Sequence, residues 1–143
     1  MIKIEQYSEN DVITANKRVY NQNAKTYDKT IKKKDSSRRL RKVLSSSYEF
    51  LKKSRKKNNK TIKALDACGG TGNASFILKE LGIDVELVDL SKAMIENFRT
   101  YCKNENIKIE AHVSEINEYF QNCNKTYDLI VFSSAFFDTK RVN

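Results

Sequence analysis

Proline is absent from this chain of 143 residues, glycine occurs four times, cysteine three times and histidine once. Neither a repeat nor a low-complexity segment is visible. Cys68, Cys102 and Cys123 are odd in number and lack Cys-x-x-Cys spacing, which argues against a disulfide framework and against a zinc site; three reduced thiols are expected. No apolar run approaches the ~18 residues of a membrane helix, and Met1-Ile2-Lys3-Ile4-Glu5-Gln6 lacks the apolar core of a signal peptide. A cytoplasmic chain is the expectation. What is present, 39% hydrophobic and 10% aromatic residues, suffices for one core in one domain.

Charge is unevenly placed. The net charge is +9, yet residues 1–63 hold 19 basic against 6 acidic side chains and residues 64–143 hold 8 against 12. A basic helical arm over residues 1–60, followed by a mildly acidic domain over 61–143, is the expected organisation. Such an arm could steer RNA or another polyanion. No aromatic interleaves Lys52-Lys53-Ser54-Arg55-Lys56-Lys57, so a solvated helix face explains the run equally simply.

Three of the four glycines crowd into Ala64-Leu65-Asp66-Ala67-Cys68-Gly69-Gly70-Thr71-Gly72. A short apolar entry, one carboxylate and a run of glycines predict a strand over 61–67 that ends in a tight turn with an open backbone, suited to a ligand. The helix that follows carries Phe76, Ile77, Leu78 and Leu81 and stops at Gly82, a natural C′ residue. Strand, glycine turn and helix open a nucleotide-binding α/β unit. Asp66 narrows the ligand, because a carboxylate beside the turn would repel a pyrophosphate on the helix N-terminus and would suit a cation. S-adenosyl-L-methionine, with its α-ammonium and sulfonium, fits better than NAD. The dinucleotide fingerprint also asks for a glycine three residues after Gly72, where Ser75 stands.

The alternation then continues. Residues 84–89 read as a second strand and 91–102 as its helix, with Ser91 as N-cap and Met94, Ile95, Phe98 and Tyr101 on the apolar face. Asp89, 17 positions beyond Gly72, is placed to accept hydrogen bonds from a ribose diol. Ile107, Ile109, Ala111 and Val113 alternate with Lys108, Glu110 and His112, as in a strand with one face in water, which puts His112 on the polar face. Leu129 to Phe132 is apolar without alternation and reads as a strand covered on both faces. Upstream, Asp35-Ser36-Ser37 can cap a helix striped by Leu40, Val43, Leu44, Tyr48 and Leu51, with the polar Asn58-Asn59-Lys60 as the loop behind it.

Leu65 to Gly72 closely resembles the first motif of class I S-adenosylmethionine-dependent methyltransferases, Leu-Asp-x-Gly-x-Gly-Thr-Gly, with Cys68 at a usual glycine. Val88-Asp89-Leu90-Ser91-Lys92-Ala93-Met94 is similar to the second motif, and Tyr127-Asp128-Leu129-Ile130-Val131-Phe132-Ser133 to the later strand and loop. Tyr20-Asn21-Gln22-Asn23-Ala24-Lys25-Thr26-Tyr27-Asp28 looks like the Tyr-x-x-x-Ala-x-x-Tyr-Asp segment of many small-molecule relatives. The resemblance implies a Rossmann-like parallel α/β sheet, strand order 3-2-1-4, with N-terminal helices. It further implies that Asp66, Cys68, Gly70 and Gly72 surround the methionine part, Asp89 the ribose, Leu90 and Met94 the adenine, Glu115 its amino group and Ser133 the methyl end. Tyr20 and Tyr27 would belong to a lid over cofactor and substrate.

No catalytic residue stands out and no metal is expected, since methyl transfer depends chiefly on orientation and a shaped electrostatic site. The absence of proline removes the Asn/Asp-Pro-Pro-Tyr of enzymes that methylate exocyclic amines of DNA bases, and the Pro-Cys pair used on cytosine rings. A small or medium-sized acceptor is the leading expectation. RNA docked on the basic arm and a non-catalytic binding module are the alternatives. The resemblance spans residues 20–138, about the first half of a methyltransferase domain, so the chain is either a fragment or pairs its open sheet edge with another chain.

Overall fold

The computed structural model describes residues 8–31, 34–54 and 60–133. Two helices come first, α1 (Glu9–Ile31) and α2 (Lys34–Ser54), and then strands and helices alternate: β1 (Lys63–Ala67), α3 (Asn73–Glu80), β2 (Asp84–Asp89), α4 (Lys92–Asn104), β3 (Glu110–Val113), α5 (Ile116–Asn122) and β4 (Leu129–Val131). The four strands form one parallel sheet in the order β3-β2-β1-β4. This is the Rossmann-like arrangement expected. Register is tight at the centre, where Asp66 of β1 stands between Leu87 of β2 and Val131 of β4.

Apolar spacing explains which faces are covered. Leu44 of α2 packs with Ile62, Ala64, Leu78 and Val85, so the basic N-terminal segment contributes to the core of the sheet. Its charged residues stay outside. On α4, Ile95, Phe98 and Cys102 meet Leu87 and Ala111, each large apolar side chain worth roughly 1.5–3 kcal/mol on full burial. Opposite them, Leu65, Ala67 and Val88 face Ile116, Tyr119 and Tyr127. α1 begins with a reciprocal cap in which the Ser8 amide donates to Asp11 Oδ2 (2.9 Å) and the Asp11 amide to Ser8 Oγ (3.2 Å).

Several local expectations are corrected. The described part of α2 starts at Lys34, so Asp35-Ser36-Ser37 lies inside the helix and not ahead of it, and Val43 points outward at 61% exposure. On α4, Cys102 takes the buried position expected of Tyr101, which is exposed with its ring 4.8 Å from that of Phe76. Among the described residues β4 is an edge of the sheet and Ile130 is 43% exposed, so the cover expected on both faces is not seen there. His112 is half-buried, its Nε2 3.1 Å from Glu86 Oε2, while Lys125 Nζ donates to both oxygens of Glu86 at 2.9 and 2.8 Å. That ammonium already supplies the cation among Glu86, Glu110 and His112. Asn58, Asn59, Arg55, Lys56 and Lys57 lie outside the described residues.

Candidate functional site

The carboxyl ends of β1 and β2 carry the glycine turn. The Gly69 amide donates to Val88 O (3.1 Å), tying the turn to β2, and the Gly72 amide donates back to Gly69 O (2.9 Å). Cys68, Gly70 and Gly72 all have positive φ, at 57°, 57° and 87°. For Cys68 the left-handed conformation costs roughly 1–2 kcal/mol, and a glycine there would lose about 0.5–1 kcal/mol more in chain entropy on folding. The two nearly offset, so a cysteine can occupy a usual glycine position. Its thiol is pushed up to about 11 by burial and by the charges of Asp89, Glu115 and Asp66. A neutral thiol is no nucleophile.

Asp66 is fully buried beneath the turn. Its Oδ2 accepts from the Ser75 amide (2.9 Å) and the Ser75 hydroxyl (2.7 Å), whereas Oδ1, equally buried, has no hydrogen-bond partner among the described residues. Burial raises its pKa to about 6 against those two bonds, and the Asp89 charge adds to the rise. A Cβ on Gly69 would lie 2.7 Å from the Asp66 carboxyl carbon, so only glycine lets the turn close over this group. Ser75, noted in the sequence only as a departure from the dinucleotide pattern, is the residue that anchors Asp66.

Asp89 stands at the end of β2 with both oxygens engaged by backbone. Oδ2 accepts from the Gly70 amide and Oδ1 from the Ser91 amide, each at 2.8 Å. Burial raises its pKa and these two bonds oppose the rise. Leu90 beside it is half-buried, and Met94, one turn into α4, is 1% exposed. Glu115 follows β3 and has a second occupation: its Oε2 accepts from the Asn117 (2.8 Å) and Glu118 (3.0 Å) amides as the N-cap of α5. Ser133 is half-buried, two residues past β4 at the same end of the sheet. Tyr20 is half-buried on α1, and Tyr27 lies on the same helix with its side chain outside the described residues, as are Ser134 to Asn143.

One contact was not foreseen. Asn21 of α1 reaches the N-terminus of α4, where its Oδ1 accepts from Ser91 Oγ (2.7 Å) and the Ala93 amide (3.1 Å). The sequence signal is its place inside the Tyr20–Tyr27 segment, next to Tyr20.

The sheet order, the turn at its carboxyl edge and the acid closing β2 define a Rossmann-like domain. The chain belongs to the methyltransferase-domain family, whose pattern matches residues 64–142. No curated protein sequence matches it. Its fold is similar to that of an S-adenosylmethionine-dependent methyltransferase from Clostridium acetobutylicum (24% identity, TM-score 0.57, covering 78% of this chain and 42% of that one). The bifunctional kinase-methyltransferase WbdD is also similar (22%, TM-score 0.59, 69% and 22% covered). So is a protein from Methanococcus maripaludis assigned as an S-adenosyl-L-methionine-dependent methyltransferase (19%, TM-score 0.57, 85% and 53%). The chain thus spans about half or less of the length of these structures. Among the described residues no helix is long and apolar enough to cross a membrane.

Proposed function

We propose that this chain carries the S-adenosyl-L-methionine site of an enzyme that methylates a small or medium-sized acceptor. The observation that carries the reading is the charge at the glycine turn. Asp66 lies beneath Gly69 and Asp89 accepts from the Gly70 amide, so two carboxylates border the turn. A pyrophosphate would be repelled there and a cationic cofactor attracted. The orphaned Oδ1 of Asp66 adds an unmatched acceptor under the backbone that would border the methionine ammonium.

When bound, the cofactor supplies an electrophilic methyl on a sulfonium. The chain's own residues bind and orient. Asp89 would hold the ribose hydroxyls with its remaining lone pairs, Leu90 and Met94 would give the adenine an apolar border, and Glu115 would take its amino group with the oxygen not used in capping. Gly70 and Gly72 shape the turn, Ser133 would border the methyl end, and Tyr20 on α1 would exclude water, the role the resemblance also gives to Tyr27, whose side chain lies outside the described residues. Outside the site, the outer edge of β4 would receive a further strand.

Calorimetry with S-adenosyl-L-methionine and with NAD tests the reading. Saturable binding of the first alone is expected, and binding of NAD alone would overturn it. Asp89→Ala should weaken cofactor binding by about 1–3 kcal/mol, the range of a charge-assisted hydrogen bond, with circular dichroism confirming that the variant is folded. Unchanged affinity would remove Asp89 from the ribose.

RNA as acceptor is the second reading, favoured by Arg38, Arg39, Lys42, Lys52 and Lys53, all exposed on α2. RNA affinity should then fall steeply as salt rises, with a shallower slope once these five are neutralised. Affinity indifferent to salt would exclude the arm as a docking surface.

A further inference from the structure

We propose that Asn21 is a positioning residue that latches helix α1 onto the cofactor loop and couples docking of that helix to occupancy of the site. The inference deepens the cofactor reading and rests on it. Its basis is a chain of hydrogen bonds that passes through one residue, Ser91, which is 1% exposed. The Ser91 amide donates to Asp89 Oδ1, and the Ser91 hydroxyl donates to Asn21 Oδ1 while accepting from the Met94 amide. The carboxylate proposed for the ribose is therefore two hydrogen bonds away from α1.

The local physics explains why a side chain 70 residues upstream is used. The first amides of a helix have no partner within it. Ser91 satisfies the Met94 amide of α4, and Asn21 satisfies the Ala93 amide from outside. About one turn further along, Asn97 Nδ2 donates to Ala24 O (2.9 Å), and Ala24, 4% exposed, is small enough for the two helices to lie close. Ala24 is the only buried residue among the α1 side chains described. With so little apolar surface buried by the described side chains of α1, the polar contacts at Asn21 weigh heavily in its docking.

Coupling follows from sharing. When α1 leaves, the Ser91 hydroxyl loses its acceptor and the loop that aims Asp89 slackens. A ligand that holds Asp89 in place favours the docked helix, and the docked helix favours the ligand by the same factor.

Amide hydrogen exchange on the full chain, with and without S-adenosyl-L-methionine, reads both halves of the proposal. Asn21→Ala should speed exchange in α1 about tenfold without ligand, leave the amides of β1 and α3 unchanged, and weaken cofactor affinity about tenfold, the loss expected for two hydrogen bonds. Asn21→Asp keeps an oxygen for both bonds and places a negative charge at a helix N-terminus, so it should restore slow exchange and affinity. Unchanged α1 exchange in Asn21→Ala overturns the latch. Faster exchange with undiminished affinity overturns the coupling. A wild-type chain that binds no S-adenosyl-L-methionine overturns the cofactor reading and the coupling with it, while exchange of the ligand-free chains still decides the latch.

Discussion

Gly72→Ala is expected to destabilise the chain by roughly 2–5 kcal/mol. At φ 87° any L side chain takes on the left-handed strain of about 1–2 kcal/mol. The new Cβ would also collide with Cε2 and Cδ2 of Phe98. Phe98 is 1% exposed between α4 and the sheet, so relief requires shifting a packed ring, and overpacking of that kind costs about 1–3 kcal/mol. Against a typical stability of roughly 5–15 kcal/mol, such a loss brings many chains near unfolding. Urea denaturation checks it. Combining Gly72→Ala with Phe98→Leu should cost less than the sum of the single changes, because the smaller side chain relieves the clash but not the strain. A midpoint indifferent to Gly72→Ala would mean that the turn does not approach Phe98.

Asp66→Asn should act in the opposite direction on stability. The folded carboxylate has its pKa raised from 3.8 to about 6, chiefly by burial. For a raised acid the linkage has a definite sign: the folded state binds the proton more tightly, so this group's contribution is most favourable below pH 3.8, declines as pH rises to about 6 and is flat above. Two units correspond to about 3 kcal/mol of destabilisation at neutral pH. An uncharged amide that still accepts from Ser75 avoids that cost, while its Nδ2 takes the place of the orphaned Oδ1 and loses about 1–3 kcal/mol as an unmatched donor. The variant should exceed the wild type by up to about 2 kcal/mol at pH 7–8, with the advantage lost toward pH 4. Cofactor affinity should fall in the same variant, and wild-type affinity should rise with pH through about 6 as the carboxylate ionises. A variant less stable than wild type at pH 8 would show that ionised Asp66 supports the fold instead of straining it.

Both predictions concern the turn, where sequence reading went furthest and stopped at a definite point. Three glycines after an apolar run announce a turn, and Ser91 before an amphipathic run announces a cap; both are local rules and both hold in the structure. The strand order followed from resemblance to a known family. Spacing was silent on what the glycines avoid. Gly69 makes room for Asp66 and Gly72 for Phe98, contacts set by tertiary packing between residues up to 26 positions apart. Tyr101 and Cys102 are adjacent, and periodicity alone could not decide which of them α4 would bury. The exposure of Ile130 among the described residues escaped for a related reason, since an apolar run reads alike whether or not anything covers it. Asn21 was legible as a helix residue, but a side chain that caps a helix 70 residues away leaves no periodic trace.

The two amides that grip Asp89 also set the thermodynamics of whatever binds there. Gly70 and Ser91 hold its oxygens before any ligand arrives. A guest therefore meets an acceptor already aimed, and little side-chain freedom is left to lose at that contact. Association at this end of the site should be favoured by preorganisation, with the entropic penalty concentrated in the ligand and in α1.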